Sequence, residues 1–301
     1  MKKKEFIRAV IVVIAILVVV LVIKLIQGFD STKNDLKKLG YSKEEISVIV
    51  EKLDKENIEK VLTLEYNEKL DEIISQTYYI PSNLEKYLEY SKKESNLEKV
   101  ISLVNVGANE KFYTNTKQTD ESKGNAMLVN KYHYLNADYA PSDIVKISDW
   151  YAYAGHSTKE EVYTQYKKMW NAAKKQDLTL LVNSSYRTLK DQQKEYDIAG
   201  DEYASRPGFS EHQTGLALDI VTYDTLGNDF ENTEEFKWLQ TNAHKYGFIL
   251  RYPKNKEDIT GYEYESWHYR YLGEDLANKV YESGLTYDEY YAYYCEYKNE
   301  C

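Results

Sequence analysis

The sequence is short of basic residues. Lysine and arginine together number 39 against 49 aspartates and glutamates, which gives a formal net charge of −10. A protein that binds nucleic acid needs a basic surface to meet the phosphates. The charge balance therefore excludes nucleic acid as the partner.

Cysteine is nearly absent as well. Cys295 and Cys301 are the only two, and their spacing matches no zinc-binding motif. They could close a small disulfide outside the cytoplasm, stay free, or pair between chains. Because both lie in the last seven residues, they are not expected to contribute to the core.

A long apolar run stands near the start of the sequence. The basic stretch MKKKEF leads into a nearly unbroken apolar run from Phe6 to Ile26, and about 20 such residues span a bilayer. A secretory signal has a shorter apolar core and a small-residue cleavage site, and no such site follows Ile26. Residues 1–27 are therefore predicted to be a cytoplasmic basic tail and an uncleaved transmembrane anchor. The preceding lysines predict that the chain from about residue 28 faces outward.

Residues 28–110 are predicted to form a helical stalk or accessory region. No glycine or proline interrupts residues 41–80, and apolar residues recur at helical spacing after a capping box of Ser42 and Glu45. This region could be a spacer, a partner-binding module or a plain scaffold. The charge pattern is typical of solvated helix faces and favours the scaffold.

Strands and helices are mixed from about residue 100 onward. The stretches VISLVNVG, LTLLVNSS, LALDIVT, FILRYP and WHYRYL predict strands, and KEEVYTQYKKMWNAAKKQ and TEEFKWLQTNAHKYG predict helices. No regular β-α-β repeat appears. The sequence thus predicts an α+β domain over residues 111–301, with a central antiparallel sheet, flanking helices and a helical C-terminal tail.

Two stretches carry the candidate chemistry, SEHQTGLALDI at 210–220 and YESWHYRY at 264–271. Hydrolysis at zinc needs three protein ligands and a carboxylate that is not a ligand. His212 and Asp219 can supply two ligands if the chain turns back at Gly215, and His268 can supply the third. Glu265 lies close enough in sequence to act as the base. The other three histidines are interpreted as structural.

The same stretches carry a resemblance to a known family. SRPGFSEHQTGLALDI, the long segment ending in YESWHYRYLG, and SSYRTLKDQQ upstream of both are similar to the VanY-type D-alanyl-D-alanine carboxypeptidases, members of a wider group of zinc peptidases. The resemblance covers about residues 125–285 and is densest over 184–273. It implies a zinc peptidase fold for the predicted α+β domain.

The resemblance also implies roles for individual residues. A zinc ion would be bound by His212, Asp219 and His268, with Glu265 as the catalytic base. Arg187 would contact the substrate carboxylate or the developing oxyanion, which suits its planar fork, although a surface salt bridge is the alternative. The further substrate contacts would be Ser210, Gln192, Tyr186 and Trp267. Trp267 could equally be part of the core.

The implied function is removal of the terminal D-alanine from peptidoglycan stem peptides by a membrane-anchored enzyme outside the cytoplasm. Two alternatives stay open. One is an L,D-carboxypeptidase acting on tetrapeptide stems, whose motifs are the same. The other is a catalytically silent wall-binding or sensor protein that keeps the fold.

Overall fold

The structure is a computed structural model that describes residues 31–301 together with residues 14 and 17–19. The predicted anchor therefore lies outside the described residues except at those four positions. Among the helices that are described, none has the length and apolar character needed to cross a membrane. The described chain divides into two compact units between residues 101 and 102.

The described residues of the first unit form helices joined by turns and short loops, with no strand among them. Its capping box is present as predicted, since Ser42 Oγ accepts from the Glu45 amide and Glu45 accepts from the Ser42 amide. Ile46 and Ile49 of the helix that follows are buried. The helices are α1 (31–39), α2 (Lys43–Lys52), α3 (Lys55–Val61), α4 (Leu70–Ile74), α5 (Leu84–Tyr90) and α6 (Leu97–Val106), which contains the point of division.

One predicted strand is wrong. VISLVNVG lies in the helix α6 and its C-terminal turn. Asn96 accepts a hydrogen bond from the Lys99 amide at the start of this helix, and Val100, Ile101 and Val104 are buried. Capping and burial of one apolar face outweigh the weak preference of valine and isoleucine for strands.

The second unit is an α+β domain, as predicted. Its strands are β1 (Lys117–Gln118), β2 (His133–Tyr134), β3 (Ile144–Lys146), β4 (Ser157–Lys159), β5 (Leu181–Ser184), β6 (Ala217–Val221), β7 (Phe248–Leu250) and β8 (His268–Tyr271). Its helices are α7 (Glu160–Lys174), α8 (Leu189–Tyr203), α9 (Glu234–Asn242), α10 (Glu257–Thr260), α11 (Glu274–Ser283) and α12 (Tyr287–Tyr290). A π-helical turn over Tyr291–Tyr297 follows α12, and Cys295 and Cys301 form a disulfide. Cys295 is buried in a second apolar cluster with Leu128 and Tyr287, so the expectation that the cysteines contribute nothing to the core is wrong for Cys295.

The main sheet has the strand order β5-β6-β8-β7, and all its neighbours pair antiparallel. Successive side chains of a strand point to opposite faces. On β6, Leu218 and Ile220 pack into the main core, so Asp219 points to the other face. On β8, Tyr269 and Tyr271 pack into the same core, so His268 shares the face of Asp219. The helix α7 covers the core side through Val162, Tyr166, Met169 and Ala173.

Candidate metal centre and active site

The three predicted ligands meet on the outer face of the main sheet. Asp219 and His268 are register partners on the neighbouring strands β6 and β8, and opposite residues of an antiparallel pair have Cβ atoms about 5 Å apart. Asp219 Oδ1 lies 3.5 Å from His212 Nε2 and 3.4 Å from His268 Nδ1. One ligand atom from each residue lies within 4.8 Å of the others.

A turn at Gly215 brings His212 beside Asp219. His212 lies in a 3₁₀ turn over Glu211–Thr214 that ends at Gly215, whose φ of 71° is left-handed. A Cβ at this position would lie 2.8 Å from Ile144 Cδ1 and 2.9 Å from Lys159 Cγ. Both the conformation and the lack of space require glycine here. The turn on which the predicted site depends is therefore present.

Hydrogen bonds select the nitrogen atom with which each histidine faces the centre. His212 Nδ1 donates to the Ser185 carbonyl oxygen at 2.8 Å, which leaves the Nε2 lone pair directed at Asp219. His268 Nε2 lies 3.3 Å from Glu211 Oε2 and donates to it, which leaves Nδ1 directed at the same oxygen. Outer partners of this kind fix the tautomer of metal-binding histidines.

The donor set fits zinc. Two imidazole nitrogens and one carboxylate oxygen are a typical ligand set for a catalytic zinc ion. Asp219 Oδ1 is buried and has no hydrogen-bond partner among the described residues. Buried polar atoms are seldom left unpaired, and a cation between the three ligand atoms would supply the missing partner.

The charges around the ligands set their protonation. Burial, with a contribution from Arg187, lowers the pKa of His212 to about 4, so this imidazole is neutral at pH 7. Burial also opposes ionisation of Asp219, but His212, His268 and Arg187 hold the pKa of that carboxyl well below its usual range. At His268 burial is outweighed by the hydrogen bonds and charges of Glu211, Glu265 and Asp219, which raise its pKa to about 9. Zinc would displace that proton, because histidine binds metals in its neutral form.

Glu265 lies beside the ligand group, just before β8. Its Oε2 is 3.3 Å from His268 Nδ1 and its side chain is 26% exposed. The backbone amide of Glu265 donates to the Tyr252 carbonyl oxygen at 3.1 Å, which holds this segment in place. A partly solvated carboxylate here can accept a proton from water next to the ligands.

All nine predicted site residues line one cavity of about 850 Å³. Besides the ligands and Glu265, these are Arg187, Gln192, Tyr186, Ser210 and Trp267. Trp267 also packs against the core, so both interpretations of this residue hold. His156, which was interpreted from the sequence as structural, lines the cavity too, with Nδ1 3.2 Å from Ser185 Oγ.

Arg187 and Gln192 present unpaired atoms near the ligands. Arg187 follows β5, and its amide donates to the His212 carbonyl oxygen at 3.1 Å. In the described part of the chain, its Nε is buried without a partner. Gln192 donates to the Ser205 carbonyl oxygen at 2.8 Å, whereas its Oε1 has no described partner. No ion pair of Arg187 lies within 4.0 Å among the described residues, so the alternative of a surface salt bridge finds no support.

Sequence reasoning missed a buried charge network behind His268. Glu211 is fully buried, and its Oε1 accepts from Arg251 Nε at 2.8 Å and from Arg270 at 2.7 Å. Arg251 also forms a bidentate pair with Asp288 of α12. The two arginines keep Glu211 ionised by lowering the pKa of its carboxyl against the effect of burial. Glu211 is thereby fixed as the acceptor for His268.

Replacing Glu211 by glutamine should weaken zinc binding by about 10- to 100-fold, the usual cost of losing an outer partner of a ligand. The amide cannot balance two buried guanidinium groups, so the free energy of unfolding should fall as well. Competition with a chelator measures the affinity. Glu263→Gln is the control, since Glu263 is exposed on the same cavity. Unchanged zinc affinity in Glu211→Gln would show that His268 needs no such support.

Comparison with known proteins agrees with this geometry. The sequence profile described as "VanY: D-alanyl-D-alanine carboxypeptidase" matches residues 155–274. YodJ of Bacillus subtilis (strain 168), assigned as a carboxypeptidase, is 40% identical over an alignment of 223 positions that covers 67% of this chain and 80% of that protein. The chain belongs to the VanY family.

Two further relatives are similar to this VanY-family chain. A D-alanyl-D-alanine carboxypeptidase of Enterococcus faecium is 35% identical over 185 residues, covering 58% of this chain and 60% of that protein. The solved structure of the LdcB LD-carboxypeptidase is 39% identical, with a TM-score of 0.55 over 60% of this chain and 91% of that one. The protein is a zinc carboxypeptidase, and the donor set described above fits that metal.

Proposed function

We propose that this enzyme removes the terminal D-alanine from peptidoglycan stem peptides. The observation that carries the proposal is the position of Arg187, whose buried Nε has no partner among the described residues and whose charge acts on both His212 and Asp219. A carboxypeptidase must recognise a free carboxylate next to the bond it cuts, and the guanidinium fork suits that group. The D-alanyl-D-alanine carboxypeptidase among the relatives supports the choice of residue.

The metal and three side chains have different roles in the proposed reaction. Zinc, when bound, lowers the pKa of water and polarises a carbonyl group. Arg187 holds the terminal carboxylate and so fixes the scissile bond relative to Glu265. Glu265 accepts a proton from water and later donates it to the leaving amine. Gln192, through its unpaired Oε1, accepts a hydrogen bond from a substrate N–H group.

A second candidate is an L,D-carboxypeptidase that acts on tetrapeptide stems. The similarity to the LdcB LD-carboxypeptidase, which this chain covers over 91% of its length, favours it. Both reactions release a terminal D-alanine, which carries a free carboxylate. The same arginine and the same base can therefore serve either reaction. Family membership and the complete site argue against a catalytically silent wall-binding protein.

Mass spectrometry of purified stem peptides after incubation with the full-length protein tests both candidates. We expect a pentapeptide to lose one alanine, and a chelator to stop the reaction. A tetrapeptide that is cut while the pentapeptide is not would replace the first candidate by the second. If neither peptide is cut by the zinc-loaded protein, both are wrong.

We further propose that the enzyme is anchored by its N-terminal apolar run, with the catalytic unit outside the cytoplasm. The basic residues before the run support this orientation. So does the disulfide between Cys295 and Cys301, because such bonds persist in oxidising compartments.

Protease added to intact, wall-stripped cells should digest the catalytic unit, since an outward-facing domain is accessible. Immunoblotting with an antibody against the C-terminal unit measures its survival. A cytoplasmic protein followed in the same sample controls for lysis. Protection that lasts until the membrane is broken would place the unit on the cytoplasmic side.

A further inference from the structure

The cavity extends away from the ligands along a row of aromatic rings. The Tyr252 ring centroid lies 4.8 Å from that of His268, and the Tyr262 ring lies 4.6 Å from Tyr252. The Tyr262 hydroxyl donates to the Phe209 carbonyl oxygen at 3.2 Å and accepts from Ser205 at 3.0 Å. At the far end, Lys131 Nζ lies 4.8 Å from the Tyr262 ring centroid.

The ammonium group of Lys131 is surrounded by aromatic rings. Its Nζ also lies 4.6 Å from the Phe112 ring centroid and 5.8 Å from that of Tyr113, and cations are attracted to aromatic faces at such distances. Gly261 allows this packing, because a Cβ there would lie 3.1 Å from Lys131 Cδ and 2.7 Å from Phe112 Cε1. Lys131 is half-buried and lines the same cavity as the ligands.

No carboxylate of the described residues neutralises this ammonium group within 4.0 Å. Asp201 is the acidic side chain that acts on it most, but both Asp201 oxygens are occupied by Arg206, at 2.8 and 2.6 Å. The Arg206 guanidinium lies 4.0 Å from the Tyr113 ring centroid, so a second cation flanks the same ring. Burial lowers the pKa of Lys131, and an anionic ligand would oppose that effect.

The place of Lys131 indicates which part of a peptide it meets. The terminal carboxylate lies one residue beyond the scissile bond, at most about 3.6 Å of extended chain, and Arg187 is next to the ligands. Lys131 is separated from His268 by two rings, at steps of 4.8, 4.6 and 4.8 Å. These steps together span at most about four residues of extended chain, so Lys131 can meet a group within about four residues of the scissile bond.

We propose that Lys131 is a specificity-determining residue that binds a carboxylate of the stem peptide on the amino side of the scissile bond. The proposal rests on the proposed function for its substrate class. Stem peptides offer such a carboxylate from two sources. One is the α-carboxylate of the γ-linked glutamate, and the other is the free carboxylate of a diaminodicarboxylic acid at the third position.

Binding of three matched pentapeptides to full-length Glu265→Gln protein tests the proposal without turnover. The first peptide carries both carboxylates, the second has the glutamate carboxylate amidated, and the third has lysine in place of the diaminodicarboxylic acid. Calorimetry should show binding weakened by about tenfold for the peptide that lacks the contacted group, which equals about 1.4 kcal/mol. The weakened peptide identifies the source of the carboxylate.

Lys131→Met in the same background should bind the first peptide as weakly as the peptide without the contacted group. Lys190→Met is the control, because Lys190 is exposed on α8 and does not line the cavity. Equal binding of all three peptides by the protein with Lys131 would overturn the proposal, even if the methionine variant did not fold. A preference that survives in Lys131→Met would overturn it too. Hydrolysis by the unmodified enzyme is measured separately, so failure of the proposed function is recognised independently.

Discussion

Glu265→Gln should lower carboxypeptidase activity by roughly 10²- to 10⁴-fold, the usual contribution of a general base. Glutamine has nearly the size of glutamate but cannot accept the proton of water. The zinc content should stay near that of the unmodified protein, because Glu265 lies outside the group of His212, Asp219 and His268. Release of alanine from a stem peptide measures the activity, and elemental analysis measures the metal.

The neighbouring residue Glu263 provides the control for this variant. It is exposed on the same cavity, so Glu263→Gln removes one negative charge from the same segment without touching the ligands. We expect this control to keep most of the activity. A Glu265→Gln enzyme that works at the normal rate would remove Glu265 from the mechanism, whatever the metal content.

His212→Ala should abolish both zinc binding and activity. Only two of the three ligands, Asp219 and His268, remain in this variant, which is too few for the site. The unmodified full-length protein should carry about one zinc per chain by elemental analysis, since three ligands and an open position form a catalytic site.

His244→Ala is the control for the loss of a histidine. The ring of His244 stacks on Tyr281 at 3.6 Å between centroids, and His244 is not among the residues that line the cavity. This variant should keep its metal. A His212→Ala protein that is folded and still binds zinc with unchanged affinity would show that the metal lies elsewhere.

The candidate site could be predicted from the sequence because its residues stand in two short motifs that resemble those of the VanY family. His212 and Asp219 flank the turn at Gly215, and Glu265 lies three residues before His268. The pairing of the two motifs on adjacent strands, with Asp219 opposite His268, became visible only in the structure. The anchor and the bounds of the accessory region stay predictions.

The parts that could not be predicted depend on contacts between distant segments. Glu211 stood in the same stretch as His212, but its role follows from Arg251 and Arg270, which lie 40 and 59 residues away along the chain. The position of Lys131 in the cavity could not be predicted, because it depends on Gly261 and Tyr262, which are distant in the chain. The helix α6 was missed because its valines and isoleucine favour strands. Burial of one apolar face stabilises the helix instead.

The pairing of Arg251 with Asp288 determines when the metal site can be completed during synthesis of the chain. Every ligand and the base precede α12 in the chain, whereas the carboxylate that balances Arg251 lies within α12. While the chain emerges from the ribosome, the ligands are synthesised before the group that completes the charge balance behind them. A chain that stops before Asp288 would leave a buried guanidinium group without one of its partners, at a cost of several kcal/mol. Assembly of the site is thus tied to completion of the fold, and truncated products would be poor zinc binders.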